Sequence, residues 1–324
     1  STLSSLVLTI RETLRYRGAV GQWSWVLHRL TGLGVVLFLV LHVIDTSWAY
    51  FYPELYEKAI AIYQTPLFTI GEFALVFAVI YHAYNGLRIG IMDNNPRLWR
   101  YQNRAVWIVL GATVLTLVPV FALMINHVIK HYAEDPFVLP LGEVLIEQLP
   151  FAIGILGAVI AALVLSAVMG VFVKEDKAPV SAKHSGSKVE RFWWSFMRVS
   201  GLLIVPLVFG HLAMMHVLQG VFDITTAGMQ VVGTNATGAA DLWNGINGTG
   251  TAVEFVGERW NTLVAGVAVW RIYDVALLAL VTLHGFNGLR YVLTDYTMKY
   301  PLLRRAAVIL TIIGGVVLLI VGGG

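Results

Sequence analysis

The chain has 324 residues, of which 57% are hydrophobic and only 13% are charged, and its mean hydropathy is +0.74. A soluble domain of this length could not cover its surface with so few polar residues, so the composition places the chain in a lipid bilayer. The absence of cysteine excludes disulfides, thiol nucleophiles and cysteine-ligated iron–sulfur clusters from this polypeptide. The formal net charge of +3 is too small to indicate nucleic-acid binding.

The first 22 residues contain three arginines but no compact apolar core followed by a cleavage site, so we expect a cytoplasmic arm rather than a signal peptide. Seven apolar runs follow, each long enough to cross a hydrocarbon layer of about 30 Å. They are predicted at 25–50, 66–92, 105–128, 148–173, 192–218, 266–293 and 306–321. Lys and Arg cluster in alternate loops, which predicts an N-terminus in the cytoplasm and a C-terminus outside.

Two short patterns occur twice within these runs. The segment 29–42 begins with Arg-Leu-Thr-Gly-Leu and ends with histidine, and the segment 198–211 begins with Arg-Val-Ser-Gly-Leu and also ends with histidine. The segment 82–93 begins with His-Ala-Tyr-Asn-Gly-Leu-Arg and ends with aspartate. The segment 284–295 matches it, with His-Gly-Phe-Asn-Gly-Leu-Arg and a final aspartate. The two patterns therefore indicate a duplicated unit.

The offsets of the two patterns, 169 and 202 residues, differ by an insertion of 33 residues in the second copy. We predict a first repeat at 1–131 and a second repeat at 192–324, with an external loop at 219–265 that contains the insertion. A three-helix unit that begins in the cytoplasm ends outside, so a second parallel copy needs one more crossing, and 132–191 supply this helix and a cytoplasmic linker. The predicted fold is an all-α membrane protein with seven transmembrane helices, in which two parallel three-helix repeats are joined by an extra helix.

Four histidines end or begin these patterns: His42, His82, His211 and His284. Ionisable side chains inside a membrane usually face the bundle interior and serve a function. Two imidazoles that face each other can bind both axial positions of a haem iron, which then carries electrons. The spacing leaves two pairings open, one between the halves and one of His42 with His82 inside a half. A proton relay in a transporter with parallel repeats is an alternative of another class.

At these residues the chain resembles the membrane-anchor cytochrome b of succinate:quinone oxidoreductases, known as complex II, and of the related quinol:fumarate reductases. The segment 28–32, His-Arg-Leu-Thr-Gly, is similar to the His-Arg-x-Ser/Thr-Gly signature of the larger anchor subunit, and 82–93 is similar to its haem-ligand helix. The segment 284–296 is similar to the smaller anchor subunit, whose haem histidine stands eleven residues before an Asp-Tyr pair. The resemblance implies a fusion of the two anchor subunits.

The resemblance also implies how the histidines are paired. It places a cytoplasm-proximal haem b on His82 and His284 and a distal haem b on His42 and His211, with His216 as a second choice for a ligand. Two arginines that lie six residues nearer the cytoplasm than a proximal ligand are candidates to pair with haem propionates or to reach lipid head groups: Arg88 and Arg290.

A quinone site near the cytoplasmic face is a further implication of the resemblance. The arginine, aspartate and tyrosine of the family site correspond to Arg29, Asp295 and Tyr296. The family serine stands four residues before the arginine, but here Trp25 occupies that position and Ser24 stands five residues before Arg29. A tyrosine hydroxyl and a nearby positive charge suit a carbonyl that gains electrons and protons.

Together with the repeated histidines, the resemblance implies a di-haem cytochrome b anchor of succinate dehydrogenase that transfers electrons between an iron–sulfur subunit and menaquinone. The expected partners are a flavoprotein and an iron–sulfur protein, the expected location is the bacterial cytoplasmic membrane, and no succinate-oxidising site is expected on this chain. The alternative within the same class is a di-haem anchor of another quinone-linked enzyme, of the quinol:fumarate reductase, formate dehydrogenase or hydrogenase type.

Overall fold

A computed structural model of the chain describes residues 18–172, 187–217 and 251–324. Within these ranges the chain is almost entirely helical and contains no β-strand, apart from an isolated bridge between Val264 and Val267. The helices are α1 (Val20–Phe51), α2 (Pro53–Tyr63), α3 (Pro66–Asn94), α4 (Gln102–Ala133), α5 (Leu141–Glu147), α6 (Leu149–Phe172), α7 (Lys188–Leu212), α8 (Ala252–Asn261), α9 (Val269–Thr297) and α10 (Pro301–Gly323). A 3₁₀ turn, Pro96–Tyr101, precedes α4, and a π-helical turn, Ala213–Val217, continues α7.

Seven helical segments of the described chain are long and apolar enough to cross a membrane. They are Val20–Phe51, Pro66–Asn94, Pro96–Ala133, Leu141–Phe172, Lys188–Val217, Val269–Thr297 and Pro301–Gly323. Each overlaps one of the seven predicted runs, so the all-α class and the seven spanning helices are confirmed. Many large apolar side chains lie exposed along these helices, for example Leu115 and Val171, as expected where lipid replaces water around a bundle.

Residues at the helix starts explain several of the boundaries. Four helical segments begin with proline: Pro53, Pro66, Pro96 and Pro301. Proline suits the first turn of a helix because the backbone N–H that it lacks would have no partner inside the helix. The Ser187 side chain caps α7 by accepting a hydrogen bond from the Glu190 backbone N–H, and Thr251 caps α8 through the N–H of Glu254. Both caps therefore belong to the Ser/Thr-x-x-Glu type.

Helices α1, α3, α7 and α9 form the centre of the bundle. Contacts run around this ring from α1 to α3, from α3 to α7, from α7 to α9 and from α9 back to α1. Helix α4 lies beside α3, and α10 lies beside α9 and α1. Helix α6 contacts α10, where the Ser166 hydroxyl donates to the Leu302 carbonyl at 2.7 Å. The four central helices carry all four repeated segments, which places the repeated histidines in the middle of the bundle.

Two short helices close one end of the bundle. Helices α2 and α8 contact each other through a hydrophobic cluster that includes Tyr56, Ile60 and Phe255. The Val253 backbone N–H donates to the Glu57 carboxylate at 2.7 Å and joins the two helices. Helix α8 occupies part of the predicted external loop 219–265, of which 219–250 lie outside the described residues. The N-terminal arm to residue 17 and most of the predicted linker, to residue 186, lie outside them as well.

Candidate functional site

His82 lies on α3 with its ring held firmly against α1. The ring stacks on that of His28, with centroids 3.9 Å apart and planes at 7°. Its Nδ1 atom lies 3.1 Å from the His28 carbonyl oxygen and 3.4 Å from the Thr31 hydroxyl oxygen. Because Thr31 donates its own hydrogen to the Leu27 and His28 carbonyls, both neighbours of Nδ1 act as acceptors. Nδ1 therefore carries the proton, and Nε2 presents its lone pair.

His284 lies on α9 in a corresponding setting against α7. Its Nδ1 atom lies 2.9 Å from the Ser200 hydroxyl oxygen, which has a further contact with the Met197 carbonyl at 3.4 Å. Ser200 stands in the second repeated segment where Thr31 stands in the first. The Nδ1 atoms of both histidines are thus held by a hydroxyl of the neighbouring central helix.

A glycine follows each of these hydroxyl residues and lets the imidazole approach the helix backbone. A Cβ atom built on Gly32 would lie 2.9 Å from His82 Cε1, and one built on Gly201 would lie 3.3 Å from His284 Cε1. Histidines that bind metal usually donate their second ring N–H to such an oxygen acceptor, which fixes the ring orientation. The Nδ1 anchors and the glycine contacts therefore fit a haem whose iron binds Nε2 of His82 and of His284.

His42 on α1 and His211 on α7 face each other across the bundle, nearer its capped end. Their ring centroids are 5.9 Å apart and their planes lie at 73°. Two imidazoles on opposite sides of one metal would have centroids about 6 Å apart, given metal–nitrogen bonds of about 2 Å. Nδ1 of His211 is buried and has no hydrogen-bond partner among the described residues. The separation of the two rings fits a second haem at this level.

The π-helical turn at the end of α7 brings His216 close to His211, with ring centroids 5.7 Å apart. His216 is also paired with another helix, because its Nδ1 lies 2.9 Å from the Glu72 carboxylate on α3. Single π-helical turns inside α-helices occur frequently at functional sites. His216 is thus a near neighbour of the candidate ligand pair and has a carboxylate partner of its own.

The two candidate propionate partners differ in their surroundings. Arg88 is buried, and its guanidinium donates to Asn85 Oδ1 at 2.9 Å and reaches the Ser24 hydroxyl at 3.5 Å. Nη1 of Arg88 is buried without a partner among the described residues, so this guanidinium retains donors for an anionic group inside the bundle. Arg290 donates to Asn287 and forms an ion pair with Glu190, at 3.2 Å.

The predicted quinone residues come together only in part. The Arg29 guanidinium on α1 forms an ion pair with Asp295 on α9 and lies over the Trp25 ring, 4.1 Å from its centroid. Tyr296 is 70% exposed beside Asp295 in the chain. Ser24 is buried and donates to Asn85 at 2.9 Å, because it lies on the side of α1 that faces α3. Trp25, not Ser24, therefore borders the Arg29 guanidinium.

Three intramembrane carboxylates near the capped end were not singled out from the sequence: Asp45, Glu72 and Asp274. Asp45 is buried and accepts a hydrogen bond from the Tyr63 hydroxyl of α2. Asp274 accepts from Arg259 at 2.7 Å and from the Trp260 indole at 2.8 Å, both on α8. The sequence does contain a signal that could have identified them: acidic residues are rare within membrane-spanning apolar runs, and those that occur there usually have a functional role.

Comparison with known proteins gives one family and two relatives. The family described as succinate dehydrogenase/fumarate reductase transmembrane subunit matches residues 10–123. The succinate dehydrogenase 2 membrane subunit SdhC of Mycobacterium tuberculosis is 37% identical over 117 residues, which are 36% of this chain and 86% of that protein. The succinate dehydrogenase hydrophobic membrane anchor subunit of Halobacterium salinarum is 24% identical over 107 residues, which are 32% of this chain and 82% of the relative. No solved structure matches the chain.

Proposed function

The chain belongs to the succinate dehydrogenase/fumarate reductase transmembrane subunit family, and on this premise we propose that it is a di-haem cytochrome b anchor that transfers electrons between an iron–sulfur partner and menaquinone. The observation that carries the proposal is the matched environment of His82 and His284, each with Nδ1 held by a hydroxyl of the adjacent central helix. The facing rings of His42 and His211 support a second pair of ligands.

In this proposal His82 and His284 hold the cytoplasm-proximal haem b, and His42 and His211 hold the distal one. A haem with two imidazole ligands has no open coordination position, so it supplies one-electron transfer and does not activate small molecules. The Thr31 and Ser200 hydroxyls fix the ring orientations, and Gly32 and Gly201 leave room for the rings. Arg88 and Arg290 are the proposed partners of propionate groups, through charge-assisted hydrogen bonds.

In this proposal the electrons come from another chain, because the sequence has no cysteine with which to bind iron–sulfur clusters. We assign that role to an iron–sulfur subunit reduced by a flavoprotein, which would carry the succinate-oxidising site. The basic segments 97–104 and 174–191 are the proposed docking region in the cytoplasm, and the membrane is the bacterial cytoplasmic membrane with the N-terminus inside.

The proposed quinone site is the cytoplasmic-side group formed by Arg29, Asp295, Trp25 and Tyr296. A quinone that becomes a quinol takes up two electrons and two protons, so negative charge develops on its carbonyl oxygens before protonation is complete. In this proposal the Arg29 guanidinium stabilises that charge, and the hydroxyl of the exposed Tyr296 donates a hydrogen bond to a carbonyl oxygen. The Trp25 ring replaces the family serine as the neighbour of Arg29.

Optical and electron paramagnetic resonance spectra of the purified chain test this proposal. We expect two low-spin b-type haems per chain with the signature of two imidazole ligands, reducible through the native iron–sulfur partner. A colourless preparation would favour the transporter alternative. A preparation with a single haem would contradict the di-haem assignment while leaving the family membership intact.

A further inference from the structure

A second arginine on the same side of the bundle has the same kinds of neighbours as Arg29. The Arg198 guanidinium on α7 forms an ion pair with Asp93 on α3. It lies over the Trp194 ring, 3.5 Å from the centroid, and donates from Nη1 to the Trp194 carbonyl at 2.8 Å. The group formed by Arg198, Asp93 and Trp194, called here the α7 group, lies between the two halves of the chain.

The α7 group and the group around Arg29 correspond residue by residue in the repeated segments. Each has a tryptophan four residues before its arginine and an aspartate eleven residues after a repeated histidine of the other half. Each guanidinium pairs with that aspartate and lies over that tryptophan. The same arrangement thus occurs on two opposite sides of the central ring, and ion pairs that solvent still reaches contribute little to stability, so stability alone does not account for both.

The α7 group also opens towards lipid. Trp194, Arg198 and Leu202 are four residues apart, so they lie on one face of α7. Trp194 is 49% exposed and Leu202 is 62% exposed, while the Arg198 side chain keeps 28% of its surface exposed. This face therefore carries an indole ring and a guanidinium next to each other, with the apolar side chain of Leu202 one turn further along the helix. The combination suits a ligand with a polar head and an apolar tail.

We propose that the α7 group is a second quinone site, in which the ring carbonyl accepts a hydrogen bond from Arg198, the ring lies against Trp194 and the tail follows Leu202. The inference rests on the proposed function. Asp93 already balances the guanidinium charge, so an uncharged carbonyl fits better than the phosphate of an anionic lipid, which the carboxylate would repel. Both terminal nitrogens of Arg198 retain a second hydrogen for such a bond.

The position of the α7 group relates it to the candidate ligand His284. Arg198 stands three residues, or about one helical turn, before Gly201, where a Cβ atom would lie 3.3 Å from the His284 ring. Arg29 stands at the same distance from Gly32, where a Cβ atom would lie 2.9 Å from the His82 ring. The proximal pair of histidines would thus have one quinone site beside each of its members.

Photolabelling of the intact complex in native membranes with an azido-quinone tests the inference, with labelled peptides mapped by mass spectrometry. We expect labels at both groups, protected by excess unmodified quinone. The double variant Asp93→Asn/Arg198→Gln removes both charges together and should reduce labelling at the α7 group by about tenfold or more, as expected when a charged hydrogen bond is lost. The matched variant Arg29→Gln/Asp295→Asn should reduce labelling at the other group instead.

The outcomes separate this inference from the proposed function. Labelling at the Arg29 group alone would overturn the second site and leave the function standing, whereas labelling at neither group would count against both. A third outcome is that vesicles of anionic phospholipid suppress labelling at the α7 group whereas excess quinone does not. A lipid head group would then occupy the α7 group, which also overturns the inference. Trp194→Leu, a change at a half-exposed position, provides a variant with little risk to folding and should weaken labelling at the α7 group only.

Discussion

At the scale of single residues, two glycines determine how closely the proximal histidines approach the neighbouring helices. A methyl group on Gly32 would come within 2.9 Å of His82, whose ring cannot move away easily because it is anchored at Nδ1 and stacked on His28. We predict that Gly32→Ala displaces His82 and lowers the haem content from two to about one per chain. Gly201→Ala, with a contact of 3.3 Å, should have a smaller effect.

Haem quantification on purified variants measures this difference. Gly34→Ala is the matched control, since a Cβ atom at Gly34 would meet nothing within 4 Å. Equal haem contents in Gly32→Ala and Gly34→Ala would contradict the assigned role of Gly32.

The hydrogen bond between Tyr63 and Asp45 is a second residue-scale feature with a measurable effect. Burial, together with the nearby Asp45 carboxylate, raises the pKa of the Tyr63 hydroxyl above its usual range, so Tyr63 is the donor. Tyr63→Phe leaves Asp45 without its partner inside the bundle, which costs about 1–3 kcal/mol. We expect a lower thermal transition temperature in detergent. Tyr50→Phe, at a position that is 75% exposed, should change it little.

Residue types and spacing predicted the four histidines, and the family resemblance predicted the Arg29–Asp295 neighbourhood. Neither predicted the hydrogen-bond partners of these residues. Ser24 shows the reason: it stands one position from Trp25, and one position on a helix rotates a side chain by about 100°. The side of α1 that carries Ser24 faces α3, where Asn85 accepts its hydrogen bond. Packing decides which face of a helix contacts which neighbouring helix, and a single sequence does not specify that packing.

At the scale of elements, the long apolar helices were predictable and the short ones were not. Seven runs of apolar residues carry a strong signal, since few other structures satisfy backbone hydrogen bonds in lipid. Helices α2 and α8 have only 11 and 10 residues, and both contain charged side chains. Helix α2 falls between two predicted runs, and α8 falls in the predicted external loop 219–265. They become stable by burying a shared cluster around Tyr56 and Phe255.

Helices α2 and α8 therefore act as a cap over the end of the bundle that contains His42 and His211. Phe255 is fully buried in their cluster, and we predict that Phe255→Ala destabilises the cap by about 3–5 kcal/mol. Faster hydrogen–deuterium exchange in α2 and α8 should report the loss. Phe137→Ala, at a position that is 87% exposed, is the control and should leave exchange unchanged. Unchanged exchange in both variants would mean that the cap does not depend on this cluster.

At the scale of the whole molecule, contacts between the two halves hold the bundle together. The ion pairs Arg29–Asp295 and Arg198–Asp93 both join a helix of one half to a helix of the other. Helix α6 adds a contact with α10 through Ser166. These contacts predict that a chain cut between residues 172 and 188 still assembles when both pieces are expressed together. Affinity purification of one piece should recover the other in equal amount, and recovery of one piece alone would contradict the prediction.

The central claim is that each haem is held by histidines from both halves. Reduced-minus-oxidised optical spectra of the four single histidine-to-alanine variants test it most directly. We predict that His82→Ala and His284→Ala lose the same haem component, and that His42→Ala and His211→Ala lose the other. Loss of one common component in His42→Ala and His82→Ala would mean that the ligands pair within a half, and would contradict the claim.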